Sequence, residues 1–146
     1  MQCAQVMKHD YEYVTPADNI HTAARKMRDR GVGFLPVCDH DRKPVGTITD
    51  RDIAVRVAAQ DSRPSNVGVQ DVMTTELVTC SPNDDLRVAE ERMASAKKSR
   101  IICLNDAGQL VGVISLSDVI EREQDDHFAA YAMRLIAGRE TRPTVV

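Results

Sequence analysis

The chain repeats itself. Residues 6–54 align with residues 72–120 at a constant offset of 66, without a gap. Val6-Met7 falls on Val72-Met73, Pro16 on Pro82, Asp18 on Asp84, Ala23 on Ala89 and Met27 on Met93. Val45-Gly46 falls on Val111-Gly112, Ile48 on Ile114 and Asp52 on Asp118. Ten of the 49 aligned positions are identical, where ordinary composition gives roughly 3 by chance. A duplicated unit of about fifty residues is too small to bury a large core alone, so each copy is expected to pack against the other.

Each copy reads alike. A short strand (residues 12–14; 77–79) enters Thr15-Pro16 or Ser81-Pro82. A helix follows, with Ile20, Ala23, Ala24 and Met27 at i, i+3, i+4 and i+7 in the first copy and Leu86, Ala89 and Met93 in the second. Asp18 is the expected N-cap, and Gly31 suits the left-handed residue that ends a helix. An apolar strand, Phe34–Cys38 or Arg100–Leu104, then leads through a polar turn to a second strand at 45–49 or 110–115. Pro36 cannot donate to a ladder and is expected at a strand start or edge. A second helix begins near Asp50 or Leu116. The order is β-α-β-β-α, twice, an α+β (mixed α/β) fold. The expected organisation is repeat 1 at 6–59, a linker at 60–69 containing Pro64 and Gly68, and repeat 2 at 70–122. A C-terminal helix is expected at 125–138, with Phe128, Tyr131, Ala132, Leu135 and Ile136 on one face.

Composition narrows the function classes. Aromatic residues are 3% of the chain, which leaves no stacking platform for single-stranded nucleic acid. A net charge of −3 shows no electrostatic footprint for DNA. No apolar run reaches membrane-spanning length, and the N-terminal residues lack the apolar stretch of a signal peptide, so a cytoplasmic location is expected. Cys3, Cys38, Cys80 and Cys103 stand far apart with no Cys-x-x-Cys pair, which argues against structural zinc. Cys38 and Cys103 read as buried thiols, and Asp39-His40-Asp41 as a polar turn rather than a cation site.

The strand ends carry the chemistry. Val45-Gly46-Thr47-Ile48-Thr49-Asp50-Arg51-Asp52 and Val111-Gly112-Val113-Ile114-Ser115-Leu116-Ser117-Asp118 both reduce to V-G-x-I-[ST]-x-x-D. A carboxylate in the first helical turn can accept hydrogen bonds from both vicinal hydroxyls of a ribose. The Thr or Ser hydroxyl and the unpaired N–H groups of the helix start can face a phosphate. The glycine removes a side chain where a ligand approaches. The same [ST]-x-x-D pattern is also a helix capping box, which needs no ligand. Capping alone does not require the upstream Val-Gly-x-Ile or the prolines at matched distances.

With those endings, the β-α-β-β-α unit and the Gly33-Phe34-Leu35-Pro36-Val37 stretch, the chain resembles a tandem pair of CBS domains, the Bateman module. The resemblance covers roughly residues 6–122. It implies two repeats packed about a pseudo-twofold axis, with clefts that bind adenosine-containing ligands: AMP, ADP, ATP, NAD or S-adenosylmethionine. It implies a regulatory role without catalysis, pairing into a homodimer, and control of a separate, unidentified protein, since no catalytic domain is attached. Residue by residue, it makes Asp52 and Asp118 the ribose acids, and Thr49 and Ser115 the hydroxyls near ribose or phosphate. It assigns base contacts to Thr15, Ala17, Val32, Gly33, Phe34 and Pro36 in the first copy, and to Thr79, Ser81 and Ile102 in the second. Arg51 and Arg100 become the candidate phosphate cations.

The second copy departs from this pattern. Ser99-Arg100-Ile101-Ile102 replaces Gly33-Phe34-Leu35-Pro36, and Ser117 replaces Arg51. The two ligand sites therefore cannot be equivalent. Three function classes stay open: a nucleotide-sensing module, a scaffold that has lost its ligand and serves dimerisation or docking, and an enzyme. No nucleophile, base or metal spacing supports the third.

Overall fold

The same local chemistry produces the same elements in both repeats. The computed structural model describes residues 1–122 together with His127, Ala130, Tyr131 and Arg134. Helices α1 (Ile20–Arg30) and α4 (Leu86–Ala96) bury matched stripes, Ile20, Ala23 and Met27 in one and Leu86, Ala89 and Met93 in the other. Each ends on a left-handed residue, Gly31 at φ 63° and Lys97 at φ 55°. A lysine there costs about 1–2 kcal/mol that glycine avoids.

The N-cap of α1 is Asn19, not Asp18. Asn19 accepts a hydrogen bond from the Thr22 N–H. Asp18 is engaged one turn earlier, where its Oδ2 accepts the Thr15 N–H at 2.8 Å. In the second repeat Asp84 Oδ2 does the same for the Ser81 N–H at 2.9 Å, and Asp85 is the cap.

Strands β1 (Phe34–Cys38) and β2 (Pro44–Thr49) pair antiparallel, with Leu35 opposite Ile48 and a register shift between Val37 and Cys38. Asp39 Oδ1 closes their turn by accepting the N–H groups of Asp41 and Lys43. Strands β3 (Thr79–Cys80), β4 (Arg100–Leu104) and β5 (Leu110–Ser115) form a sheet in that order, β3 parallel to β4.

The first strand of repeat 1, expected over 12–14, shrinks to the single bridge Val14–Val37. Val14 donates to the Pro36 carbonyl and accepts from Cys38. The next bond of such a parallel ladder would come from residue 36, which has no N–H. In repeat 2 the equivalent residue is Ile102, and its N–H donates to the Val78 carbonyl at 3.0 Å. One residue thus decides whether the strand extends. Pro36 accordingly lies within β1, with its missing donor on the side away from β2.

Helix α2 (Asp50–Ile53) passes into a wider turn over Ala54–Ala58, where the Ala59 N–H reaches the Ala54 carbonyl. Helix α3 (Val69–Val72) precedes Met73 and Thr74, and α5 (Leu116–Arg122) follows β5 directly. The helix expected over 125–138 lies outside the described residues, apart from His127, Ala130, Tyr131 and Arg134.

The chain divides into two compact units that are not contiguous in sequence. One holds Asp10–Leu77 and Ala107–Leu110; the other holds Met1–His9, Val78–Asp106 and, among the described residues, those from Val111 on. The first unit's core gathers Val14, Ile20, Ala23, Met27, Leu35, Val37, Ile48, Val57, Val69 and Val72. The second gathers Cys3, Val6, Cys80, Leu86, Ala89, Met93, Ile101, Cys103, Ile114 and Val119. Each unit is completed by the opening segment of the other repeat. Thr74 bridges Thr47 on β2, with Met73 against Gly46. Lys8 bridges Val113 on β5, with Met7 against Gly112. The glycine of V-G-x-I thus makes room for a methionine of its own unit. All four cysteines are free and buried. Burial pushes the Cys38 thiol up to about 11.

Candidate functional site

The strand-to-helix junctions place the two acids alike. Thr49 caps α2: the Asp52 N–H donates to Thr49 Oγ1 at 3.1 Å, and the Thr49 N–H donates back to Asp52 Oδ2 at 3.0 Å. In the second repeat the Asp118 N–H donates to Ser115 Oγ at 3.1 Å, and the Ser115 N–H donates to Asp118 Oδ2 at 2.8 Å. Both capping boxes are therefore real, and each consumes one carboxylate oxygen. The other oxygen, Oδ1, decides what each acid can still do.

Backbone bonds bring the remaining candidates to these junctions. The Asp50 N–H donates to the Gly33 carbonyl, and the Leu116 N–H to the Ser99 carbonyl. The bonds from Val14 to Pro36 and from Cys38 to Val14 hold Thr15 beside β1, while Thr79 pairs with Ile102. Thr15, Gly33, Phe34, Thr49, Thr79, Ser81 and Arg100 are half-buried; Ala17, Val32 and Arg51 are exposed. Pro36 and Ile102 are buried, and the Ile102 amide is taken up by Val78, so neither offers a free donor. The Arg100 guanidinium folds back on Ser99, donating to its carbonyl at 3.0 Å and its hydroxyl at 3.3 Å.

Gly33 has a function the sequence did not reveal. A Cβ there would stand 2.5 Å from Asp50 Oδ2. The glycine accommodates an acid at the helix start. Repeat 2, with Leu116 in place of Asp50, carries Ser99 instead.

The electrostatics of the two acids differ. Asp52 Oδ1 has Arg56 Nε at 4.0 Å, one helical turn on. Asp118 Oδ1 has Lys8 Nζ at 2.7 Å. Burial pushes the Asp118 carboxyl up, but the Lys8 ammonium and the hydrogen bonds from Ser115 outweigh it and hold the group below its usual range. The same pair holds Lys8 protonated further into the alkaline range. Lys8 was missed in the sequence. The alignment puts it on Thr74, and that loss of symmetry was the available signal.

The sign of the Asp118 shift yields an expected result. A carboxyl depressed in the folded state stabilises the fold above its unfolded value, and that contribution disappears as pH falls through the folded value. Thermal midpoints of the wild type and Asp118→Asn should differ at pH 7 and converge on acidification below pH 3.8, the ordinary value. Parallel curves down to acid pH would show that the carboxylate charge contributes nothing.

The CBS domain model matches residues 3–59 and 69–125, which contain both junctions. The chain belongs to the CBS domain family. It is 36% identical over 124 residues to the CBS domain-containing protein YhcV of Bacillus subtilis, covering 85% of this chain and 86% of that one. It is 33% identical over 138 residues to the uncharacterized protein YlbB of the same organism, covering 94% and 92%. An uncharacterized Methanopyrus kandleri protein matches at 26% over 119 residues; this is 82% of the present chain but 61% of that relative, under two thirds of its length.

Solved structures agree on the fold. A conserved CBS domain protein of unknown function from Thermoplasma acidophilum superposes with a TM-score of 0.83 at 19% identity, covering 97% of this chain and 78% of the other. A CBS domain protein from Pyrobaculum aerophilum, complexed with AMP, superposes with a TM-score of 0.76 at 22% identity, covering 94% and 99%. The mixed α+β architecture with two CBS repeats stands on these matches. Among the described residues, no group of three or more His, Cys, Asp or Glu side chains could hold a metal ion, and no helix is long and apolar enough to cross a membrane.

Proposed function

We propose that this chain is a regulatory module that binds an adenosine-containing ligand, of the AMP, ADP, ATP or NAD class, and transmits its occupancy by conformational change rather than by catalysis. The supporting observation is Asp52. Its Oδ2 is committed to the helix cap, and its Oδ1 accepts no hydrogen bond among the described residues and is ion-paired only loosely, with Arg56 Nε at 4.0 Å. A carboxylate oxygen held on a rigid helix start is a suitable acceptor for a ribose hydroxyl. Thr49, Gly33 and Phe34 stand at the same junction, and Arg51 is an exposed cation for a phosphate. The AMP complex of the Pyrobaculum aerophilum protein supports the ligand class. In this reading Ser115 and Asp118 form the counterpart in repeat 2, the chain works as a homodimer, and its output acts on a separate protein. A ligand shifts such an output only by its differential affinity for two states, about 1.4 kcal/mol for a tenfold change.

A second reading has support of its own. Both acids serve capping boxes, so a scaffold without ligand would also keep them. Calorimetry with AMP and 2′-deoxy-AMP separates the two readings. A site that satisfies vicinal hydroxyls should lose about 1–3 kcal/mol when one is removed. Asp52→Asn keeps the shape but loses the charge, and should abolish one binding event. Equal affinity for both nucleotides, or normal binding by Asp52→Asn alongside an Asp52→Ala that merely melts earlier, would leave the carboxylate as a cap only.

A further inference from the structure

The two repeats present the same acid in opposite conditions, and the difference comes from one residue outside the motif. In the first unit, the segment reaching β2 brings Thr74 to the position beside the junction. In the second unit, the equivalent segment brings Lys8. Lys8 is pinned by its backbone, donating to the Val113 carbonyl at 2.9 Å and accepting from the Val113 N–H at 3.2 Å. Its side chain is 66% exposed, yet the ammonium ends 2.7 Å from Asp118 Oδ1, on a carboxylate only 7% exposed. Asp118 Oδ2 already holds the Ser115 N–H. Both oxygens of the second repeat's acid are therefore occupied before any ligand arrives. Among the described residues, Glu121 and Arg100 also act electrostatically on Lys8.

We infer that Lys8 is a specificity-determining residue, a resident cation that masks Asp118 and makes the second repeat select ligands carrying an anion. This rests on the reading of Asp52 and Asp118 as ribose acids. A ribose hydroxyl can reach Asp118 Oδ1 only if the ammonium leaves. A neutral nucleoside then breaks an ion pair between two charged groups and returns only a hydroxyl–carboxylate bond, charged on one side. A nucleotide brings a phosphate, and the displaced lysine, flexible and already exposed, can pair with it. In the first repeat Arg56 Nε stands 4.0 Å from Asp52 Oδ1, beyond hydrogen-bond distance, and its Nη1 donates to the Val72 carbonyl, so Asp52 is not masked in this way and accepts nucleoside and nucleotide more evenly. Discrimination here comes from a group that opposes the wrong ligand, not from an added contact to the right one.

The test uses the full chain carrying Asp52→Asn, which leaves the second repeat as the binding site, titrated with adenosine and with AMP. Lys8→Met should tighten adenosine about tenfold, the scale of a lost hydrogen bond to a charged group, and should shrink the preference for AMP over adenosine. Lys8→Arg keeps the cation and should behave as the parent. Lys8 is exposed and its backbone bonds survive substitution, so Lys8→Met should fold; a melting curve checks this. Unchanged or weaker adenosine binding on Lys8→Met, or no measurable binding with or without Lys8, overturns the inference. Adding Asp118→Asn distinguishes the two levels. If it removes the remaining AMP binding while Lys8→Met changes nothing, the mask is wrong and the ribose assignment stands. If AMP still binds with both acids replaced, the ribose assignment fails and the mask fails with it.

Discussion

Gly46→Ala should destabilise the protein more than the symmetry-related Gly112→Ala, although the two glycines are identical in the sequence repeat. A Cβ on Gly46 would stand 2.8 Å from the Thr74 carbonyl oxygen and 2.9 Å from Met73 Sδ. The oxygen belongs to the bridge between Thr47 and Thr74, where the Thr47 N–H donates to it at 2.8 Å, so it cannot swing aside without breaking that bond. The three atoms nearest a Cβ on Gly112 all belong to the Met7 side chain, at 2.7 to 3.0 Å. Methionine has several rotatable bonds and can yield. Overpacking of this kind costs about 1–3 kcal/mol, and Gly46→Ala should fall at the upper end. Urea denaturation measures both. Met7→Ala should rescue Gly112→Ala, whereas Met73→Ala should rescue Gly46→Ala only in part. Equal costs, or full rescue at both sites, would mean that the Thr74 carbonyl is not the obstacle.

Ile48→Ala should have the largest single effect, about 2–5 kcal/mol, with Ile48→Val costing about 0.5–1.5 kcal/mol. Ile48 is fully buried opposite Leu35 and immediately precedes Thr49, so its packing fixes the strand that presents the cap and the acid. Ile114 is its equivalent, also fully buried, in the other core. Chemical denaturation with an unchanged slope gives the loss directly. Ile48→Val should keep AMP affinity unchanged, because the isoleucine packs the core and does not face a ligand. Weakened binding by a well-folded Ile48→Val would place this residue at the ligand instead. Within V-G-x-I-[ST]-x-x-D, then, the isoleucine packs, the glycine clears a methionine, and the hydroxyl and the acid cap the helix. In the first repeat that leaves the second carboxylate oxygen and the exposed Arg51 as the groups of the motif on which the proposed ligand chemistry rests.

Much of this was legible in the sequence because the signals are local. Phe34–Cys38, Arg100–Leu104 and Leu110–Ser115 are apolar runs bounded by polar turns, and the structure keeps those bounds. The stripes Ile20–Ala23–Met27 and Leu86–Ala89–Met93 have the helical period and are buried as that period requires. Asp18 misled as an N-cap because two acceptors, Asp18 and Asn19, stand side by side, and the preceding turn takes the first through Thr15. The strand at 12–14 failed because its ladder depends on a donor 24 residues away, at Pro36, and a proline supplies none.

The sequence by itself determined the duplication, through matched positions at one constant offset, and the helices α1 and α4, the strands β1, β2, β4 and β5 and the two acids with their hydroxyl partners, each of which depends on residues within a few positions of one another. Only the tertiary structure decided which segment completes which unit. The opening residues of each repeat cross to a strand of the other, so Met73 and Thr74 serve β2 while Met7 and Lys8 serve β5. The charge state of the acids' surroundings follows from that crossing. Lys8 and Asp118 are 110 residues apart in the chain and 2.7 Å apart in the fold. No periodicity or motif spans such a distance; the backbone bridge between Lys8 and Val113 does.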